Sequence, residues 1–175
     1  MNVSVPKMRY SIKIDKNKFK NFTDIEINMY LGIIMTSLFG QSSDFREKVI
    51  EEKLTTGYYT EKNNYDRFIT LDITAESDKP DIFVDEINKL LDKIKIKNED
   101  VERIKKVWIA SEIRMIDNVE ITVDNIYSDL IMYDRVIENR LDLIRELNLK
   151  KLTKFMKQLD LSNRSLVFVL PNSEK

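Results

Sequence analysis

An α+β fold is predicted: a ferredoxin-like split βαβ, with an antiparallel sheet of about four strands and extra helices. Three observations predict it. An alternating strand opens the chain, two further alternating strands follow a pair of helical segments, and a long helical stretch separates these from a last apolar run. Only three glycines and three prolines occur in 175 residues, so continuous elements and short loops are expected.

Arg9 to Ile14 alternates, with Tyr10, Ile12 and Ile14 on one side and Arg9, Ser11 and Lys13 on the other. That is the pattern of a strand with one buried face. Thr23-Asp24-Ile25-Glu26 has the spacing of a capping box, and the helix it starts runs to about Phe39. Gly40 is expected to end that helix in a left-handed conformation. Ser42, Ser43 and Asp44 offer cap oxygens for a second helix ending near Lys53.

Two strands follow, at about Thr55–Thr60 and Arg67–Ala75, with Asn63-Asn64 as the expected hairpin turn. Pro80 suits the first turn of a helix over about Asp81–Ile94. Asn98 is read as the cap of the next helix, whose stripe is Val101, Ile104, Trp108, Ser111 and Met115. Helical segments are then expected at about Glu120–Tyr133, Val136–Leu147 and Leu149–Leu159. Leu166–Leu170 is an unbroken apolar run closed by Pro171, and it reads as a central or doubly covered strand.

Composition narrows the chemistry. Histidine and cysteine are both absent, which removes His-based triads, Cys nucleophiles and the usual nitrogen and sulfur zinc ligands. No catalytic residue and no metal ligand is therefore assigned, and no cofactor is expected in this chain. Formal net charge is -1, so a general attraction to nucleic acid or an anionic membrane is not expected. Lys13, Lys16, Lys18 and Lys20, interleaved with Phe19 and Phe22, are read as a solvated strand end rather than a nucleic-acid arm. The N-terminus lacks an apolar core of signal-peptide length, and Met29–Phe39 is too short to span a bilayer. Cytoplasmic localisation is the default expectation, without cysteine to suggest otherwise.

Gly40-Gln41-Ser42-Ser43 followed by Phe45-Arg46-Glu47-Lys48-Val49-Ile50-Glu51-Glu52-Lys53-Leu54 resembles a segment of pitrilysin/insulinase-family zinc peptidases. There, "FGG-S-S" precedes "L-F-x-x-(I/V)-R-E-x-x-G-L". The Val3–Lys7 lead-in, the Asn98–Lys106 helix start, the stretch from Leu141 through Leu152 and the strand Leu166–Leu170 are similar in order and spacing. The resemblance thus runs over nearly the whole chain. It implies a single non-catalytic domain, residues 1–175, forming the C-terminal part of a longer chain in a small bacterial member.

The family builds chambers from homologous domains. One of them carries H-x-x-E-H, with two His on zinc and a Glu that activates water. The implied role here is the chamber wall opposite such a domain. The implied partners are that catalytic domain or a paralogous subunit, in a homo- or heterodimer, and a peptide substrate. Zinc would belong to the partner domain.

Active relatives place an Arg and a Tyr in this domain, in "R-E-x-x-G-L-A-Y". Here the Arg position falls on Ile50, or on Val49 with a one-residue shift. The Tyr position falls on Thr56, and the Gly on Lys53. Arg46, Tyr58 and Tyr59 lie nearby and are the candidate substrate contacts. The departures keep open an alternative, a structural or assembly component of an inactive peptidase-like complex. A free-standing ferredoxin-like binding module is a third reading.

Overall fold

The computed structural model describes residues 3–171; Met1 and Asn2, read above as part of the N-terminus, lie outside them. The elements are β1 (Lys7–Asp15), α1 (Asp24–Phe39), α2 (Asp44–Glu51), β2 (Gly57–Asn64), β3 (Phe68–Glu76), α3 (Pro80–Asp92), α4 (Asn98–Ile116), α5 (Val119–Tyr133), α6 (Arg140–Glu146), α7 (Leu149–Met156) and β4 (Arg164–Val169). The four strands form one sheet in the order β2-β3-β1-β4, and every neighbouring pair is antiparallel. β3 lies between β1 and β2, and β1 between β3 and β4, which is the split βαβ arrangement expected from the sequence.

The strand alternation is kept. Met8, Tyr10, Ile12 and Ile14 of β1 and Ile69, Leu71, Ile73 and Ala75 of β3 are buried against the helices. Their neighbours in the chain point to the opposite face. On the helical side, α3 packs on β1 through Phe83, Val84, Ile87 and Leu91. α1 packs against β2, α2, α4 and α7. After Asp24, no residue of α1 is exposed. A helix apolar on all sides needs cover on all sides, so α1 becomes the middle layer between the sheet and the outer helices.

Phe155 of α7 closes this layer. Its ring stacks on Phe19 with centroids 4.3 Å apart and meets Phe22 edge-on at 5.3 Å. Phe19 and Phe22 are therefore core residues and not part of a basic arm. Lys16 is also buried and pairs with Asp24 at 3.3 Å, while Lys18 pairs with Asp160 at 2.6 Å.

The capping box at Thr23 forms as expected, with Glu26 N–H donating to Thr23 Oγ1, and of Ser42, Ser43 and Asp44 it is Ser43 that caps α2, its Oγ accepting from Arg46 N–H. Four local expectations are corrected. Gly40 is not left-handed; its φ is -68°, and glycine is needed because a Cβ there would come within 2.3 Å of the Thr36 carbonyl oxygen. Asn63 and Asn64 belong to β2, because the β2–β3 ladder continues through them, opposite Thr70 and Ile69. The turn lies one step later, closed by the Tyr65 N–H donating to the Phe68 carbonyl at 2.9 Å. Asn98 begins α4 instead of capping it, and Asp100 accepts from the Lys97 N–H at 3.2 Å.

The fourth correction concerns Leu166–Leu170. Among the described residues β4 is an edge strand paired only with β1, and Val167 and Leu170 are 60% and 61% exposed. An unbroken apolar run shows that both faces are apolar; it does not show that both are covered. No helix among the described residues is long and apolar enough to cross a membrane.

Lys53 lies beyond α2 with φ of 50°. This is the position at which the family resemblance calls for glycine, and the backbone adopts the conformation glycine favours. A non-glycine residue there carries a cost of about 1 kcal/mol. Lys53→Gly is therefore expected to stabilise the domain, raising the midpoint of thermal unfolding by about 3 °C for a chain of this size. Differential scanning calorimetry checks it, and Lys53→Ala should not show the gain.

Candidate functional site

Among the described residues, the sheet has helices on one side only. Its other face presents rows of side chains in register. One row runs Tyr59, Thr74, Arg9, Val167, and the next Glu61, Asp72, Ser11, Ser165. Tyr59 is 75% exposed. At the centre of this face lies Asp72, which is buried although it points away from the helices. Its carboxylate accepts from Asn63 and from Thr70 Oγ1, both at 3.0 Å, from Ser11 Oγ, and from Arg9 Nη2 at 3.1 Å. Burial pushes the carboxyl up, and the bonds from Ser11, Arg9, Thr70 and Asn63 outweigh it, so Asp72 is held below its ordinary value. No motif signalled this network. The only hint in the sequence is a set of polar residues at outward positions on three strands.

The three candidate contacts do not form one site. Tyr58 points into the helical side, where its hydroxyl donates to the Phe39 carbonyl at 2.8 Å. Its ring meets Phe45 edge-on at 5.5 Å. Arg46, from the first turn of α2, lies over that ring with its guanidinium carbon 5.3 Å from the centroid. Burial pushes the Tyr58 hydroxyl up, opposed by Arg46 and Ser43. Arg46 and Tyr58 are thus neighbours, while Tyr59 lies on the opposite face of the sheet. Tyr58 is engaged in packing the α2–β2 corner.

At the end of the sheet a cleft of about 800 Å³ is lined by Lys13, Tyr65, Phe68, Asp160 and Asn163, among others. The Tyr65 and Phe68 rings stack 4.6 Å apart, and Lys13 Nζ sits 4.2 Å from the Phe68 centroid. Trp108, read as core in the α4 stripe, is only partly buried and walls a smaller cleft beside Lys62. Met115 is not part of that wall and lines another cleft, beside α5. No group of three acidic residues placed to hold a metal ion occurs among the described residues.

α5 has an unusual polarity. Its inward side is polar: Thr122 Oγ1 donates to the Met115 carbonyl at 3.2 Å, and buried Asp129 accepts from the Ile137 N–H at 3.0 Å and from Arg140. Its outward stripe is Val119, Val123, Tyr127, Leu130 and Ile131, of which Val119 and Ile131 are 77% and 83% exposed. A surface helix normally turns its apolar stripe inward.

No protein-family profile and no curated protein matches the sequence. Solved structures do match. An M16-like peptidase from Alicyclobacillus acidocaldarius superposes with a TM-score of 0.81 at 17% identity, over 98% of this chain and 42% of that one. The periplasmic protease PqqL from Escherichia coli gives 0.82 at 15% identity, over 98% and 20%. The chain has the fold of an M16-like peptidase domain. The inactive peptidase domain of a zinc protease from Bordetella parapertussis gives 0.72 at 13% identity, and it is matched over 100% of this chain and 96% of its own length. The chain spans less than half the length of the first two proteins it resembles.

Asp72 makes the open face of this domain sensitive to acid. Its folded value lies below the unfolded one, so its contribution is present above about pH 3.9 and is lost as pH falls through the folded value. Asp72→Asn is expected to cost about 1–3 kcal/mol at pH 7. The gap to the wild type should narrow toward pH 3, read from urea unfolding at both pH values.

Proposed function

We propose that this chain is a non-catalytic partner domain of an insulinase-like zinc metallopeptidase. It would dock by the outward stripe of α5 on a second domain of the same fold and turn its open sheet face toward a peptide chamber. The inverted polarity of α5 carries the reading. Ordered polar anchors at Asp129 and Thr122 hold the helix in place while five large apolar side chains face outward. Contiguous exposed apolar surface of this kind marks an interface. A second domain of related fold is favoured as the occupant because the A. acidocaldarius protein carries more than as much chain again beside the matched part.

The absence of histidine supports placing the chemistry in that second domain, where H-x-x-E-H would bind zinc and activate water. On the open face, Tyr59 and Arg9 are the candidate peptide contacts, with Arg46 at the corner of the domain. Ile50, 62% exposed where active relatives place an arginine, favours a second reading. In that reading the domain completes an assembly that cleaves nothing.

Labelled peptides incubated with Zn²⁺ and the chain alone should remain intact. With the H-x-x-E-H domain of the same assembly added, cleavage should appear. Ile131→Glu should reduce it at least about tenfold, as loss of a central apolar anchor does, with unfolding stability within about 0.5 kcal/mol of wild type. Cleavage by the chain alone would overturn the proposal. A complex that forms and leaves peptides uncut would establish the assembly role instead.

A further inference from the structure

Lys62 occupies an inward position of β2, in register with Leu71 of β3, where apolar side chains are the rule. Its Nζ donates to the Asn28 main-chain carbonyl at 2.7 Å. An ammonium has three donors, and among the described residues Lys62 has no carboxylate partner. Burial pushes its ammonium down to about 8. It is therefore still largely charged at neutral pH, in a place where a charge without a counter-ion is costly.

A cleft of about 240 Å³ opens at this lysine. α1 contributes Asn28 and Met29, α4 contributes Trp108, Ser111 and Glu112, and α6 contributes Arg140 and Ile144. The other charges on the cleft are occupied. Arg140 pairs with Asp129 and lies 3.8 Å from Glu112, while burial pushes Glu112 up and Arg140 opposes it. Tyr133 accepts from Asn28 Nδ2 at 2.8 Å, and Asn28 Oδ1 is buried with no donor among the described residues. Gly32 makes the cleft possible. A Cβ there would sit 3.0 Å from the Trp108 ring and 3.4 Å from Lys62 Nζ. Glycine inside a buried helix costs about 1 kcal/mol relative to alanine, and here it lets both side chains lie against the α1 backbone.

We propose that this cleft binds a small carboxylate, with Lys62 as its counter-ion and Trp108 against its apolar body. That chemistry is shared by a free N-acyl amino acid and by the C-terminal residue of a peptide. The site stands on these residues whichever domain covers α5.

Trp108 is the single tryptophan of the chain, so its emission reports on the cleft alone. N-acetylglycine should change that emission saturably at pH 7, with a Kd on the order of 1 mM. N-acetylglycinamide, which lacks the charge, should not. Lys62→Met should abolish the response while circular dichroism stays unchanged. In the wild type, affinity should fall about tenfold for each pH unit above the lysine's own value, because only the ammonium binds. This profile and the amide control do not depend on the variant folding. Tetraalanine binding at least as tightly would assign the site to peptide ends, and binding of N-acetylglycine alone would assign it to free acids. Absence of saturation with N-acetylglycine, equal binding of the amide, or binding retained by Lys62→Met would each overturn the proposal.

Discussion

α1 offers no side to water. Ile25, Ile27, Tyr30, Leu31, Ile33, Ile34, Leu38 and Phe39 point around the full circle, and only Asp24 at its start is exposed. Burying such a helix is worth several kcal/mol per turn in apolar area alone, since each large side chain contributes about 1.5–3 kcal/mol. The domain is arranged to satisfy it, with the sheet on one side, α4 and α7 on the other, and α2 at its end. Phe155, stacked on Phe19 and close to Tyr30, seals the start of the helix, and Phe45 seals its end against Phe39.

Covering α1 leaves two surfaces with no cover. Layers built on one side of a sheet leave the far face open, and that face survives in water because it is polar at its centre. Asp72 serves as the hub, with four donors drawn from three strands. The second surface is the outside of α5. It is tethered to the rest of the domain by hydrogen bonds instead of apolar burial, which is how a helix can be held firmly and still present Val119, Val123, Tyr127, Leu130 and Ile131 outward. Among the described residues, the open sheet face and the α5 stripe are the two surfaces that this packing leaves uncovered.

The buried charges divide by how they are neutralised. Asp72 has Arg9, Asp129 has Arg140 and Lys16 has Asp24. Half-buried Lys62 has only a carbonyl oxygen among the described residues. Interior charge is tolerated when paired and hydrogen-bonded, so the exception stands out against three cases in the same small domain that follow the rule.

The sequence by itself determined the element order, the alternation of β1 and β3, and the capping box at Thr23. Each of these depends on side chains close together in the chain, so local spacing was enough to read them. It also showed that zinc-peptidase chemistry based on histidine is absent from this chain, since no residue can supply it. The resemblance around Gly40–Leu54 pointed to the fold, and the left-handed backbone at Lys53 keeps the geometry of that motif where its glycine is missing. Only the tertiary structure decided the rest. Periodicity identifies apolar faces but not what covers them, so Leu166–Leu170 came out at the sheet edge and Trp108 at a cleft wall. Adjacent tyrosines in a strand must point to opposite faces, yet which of Tyr58 and Tyr59 faces the core depends on how β2 registers against β3. The partners of Asp72 and the isolation of Lys62 involve residues from separate elements, and only the packing of the whole chain around α1 brings those elements together.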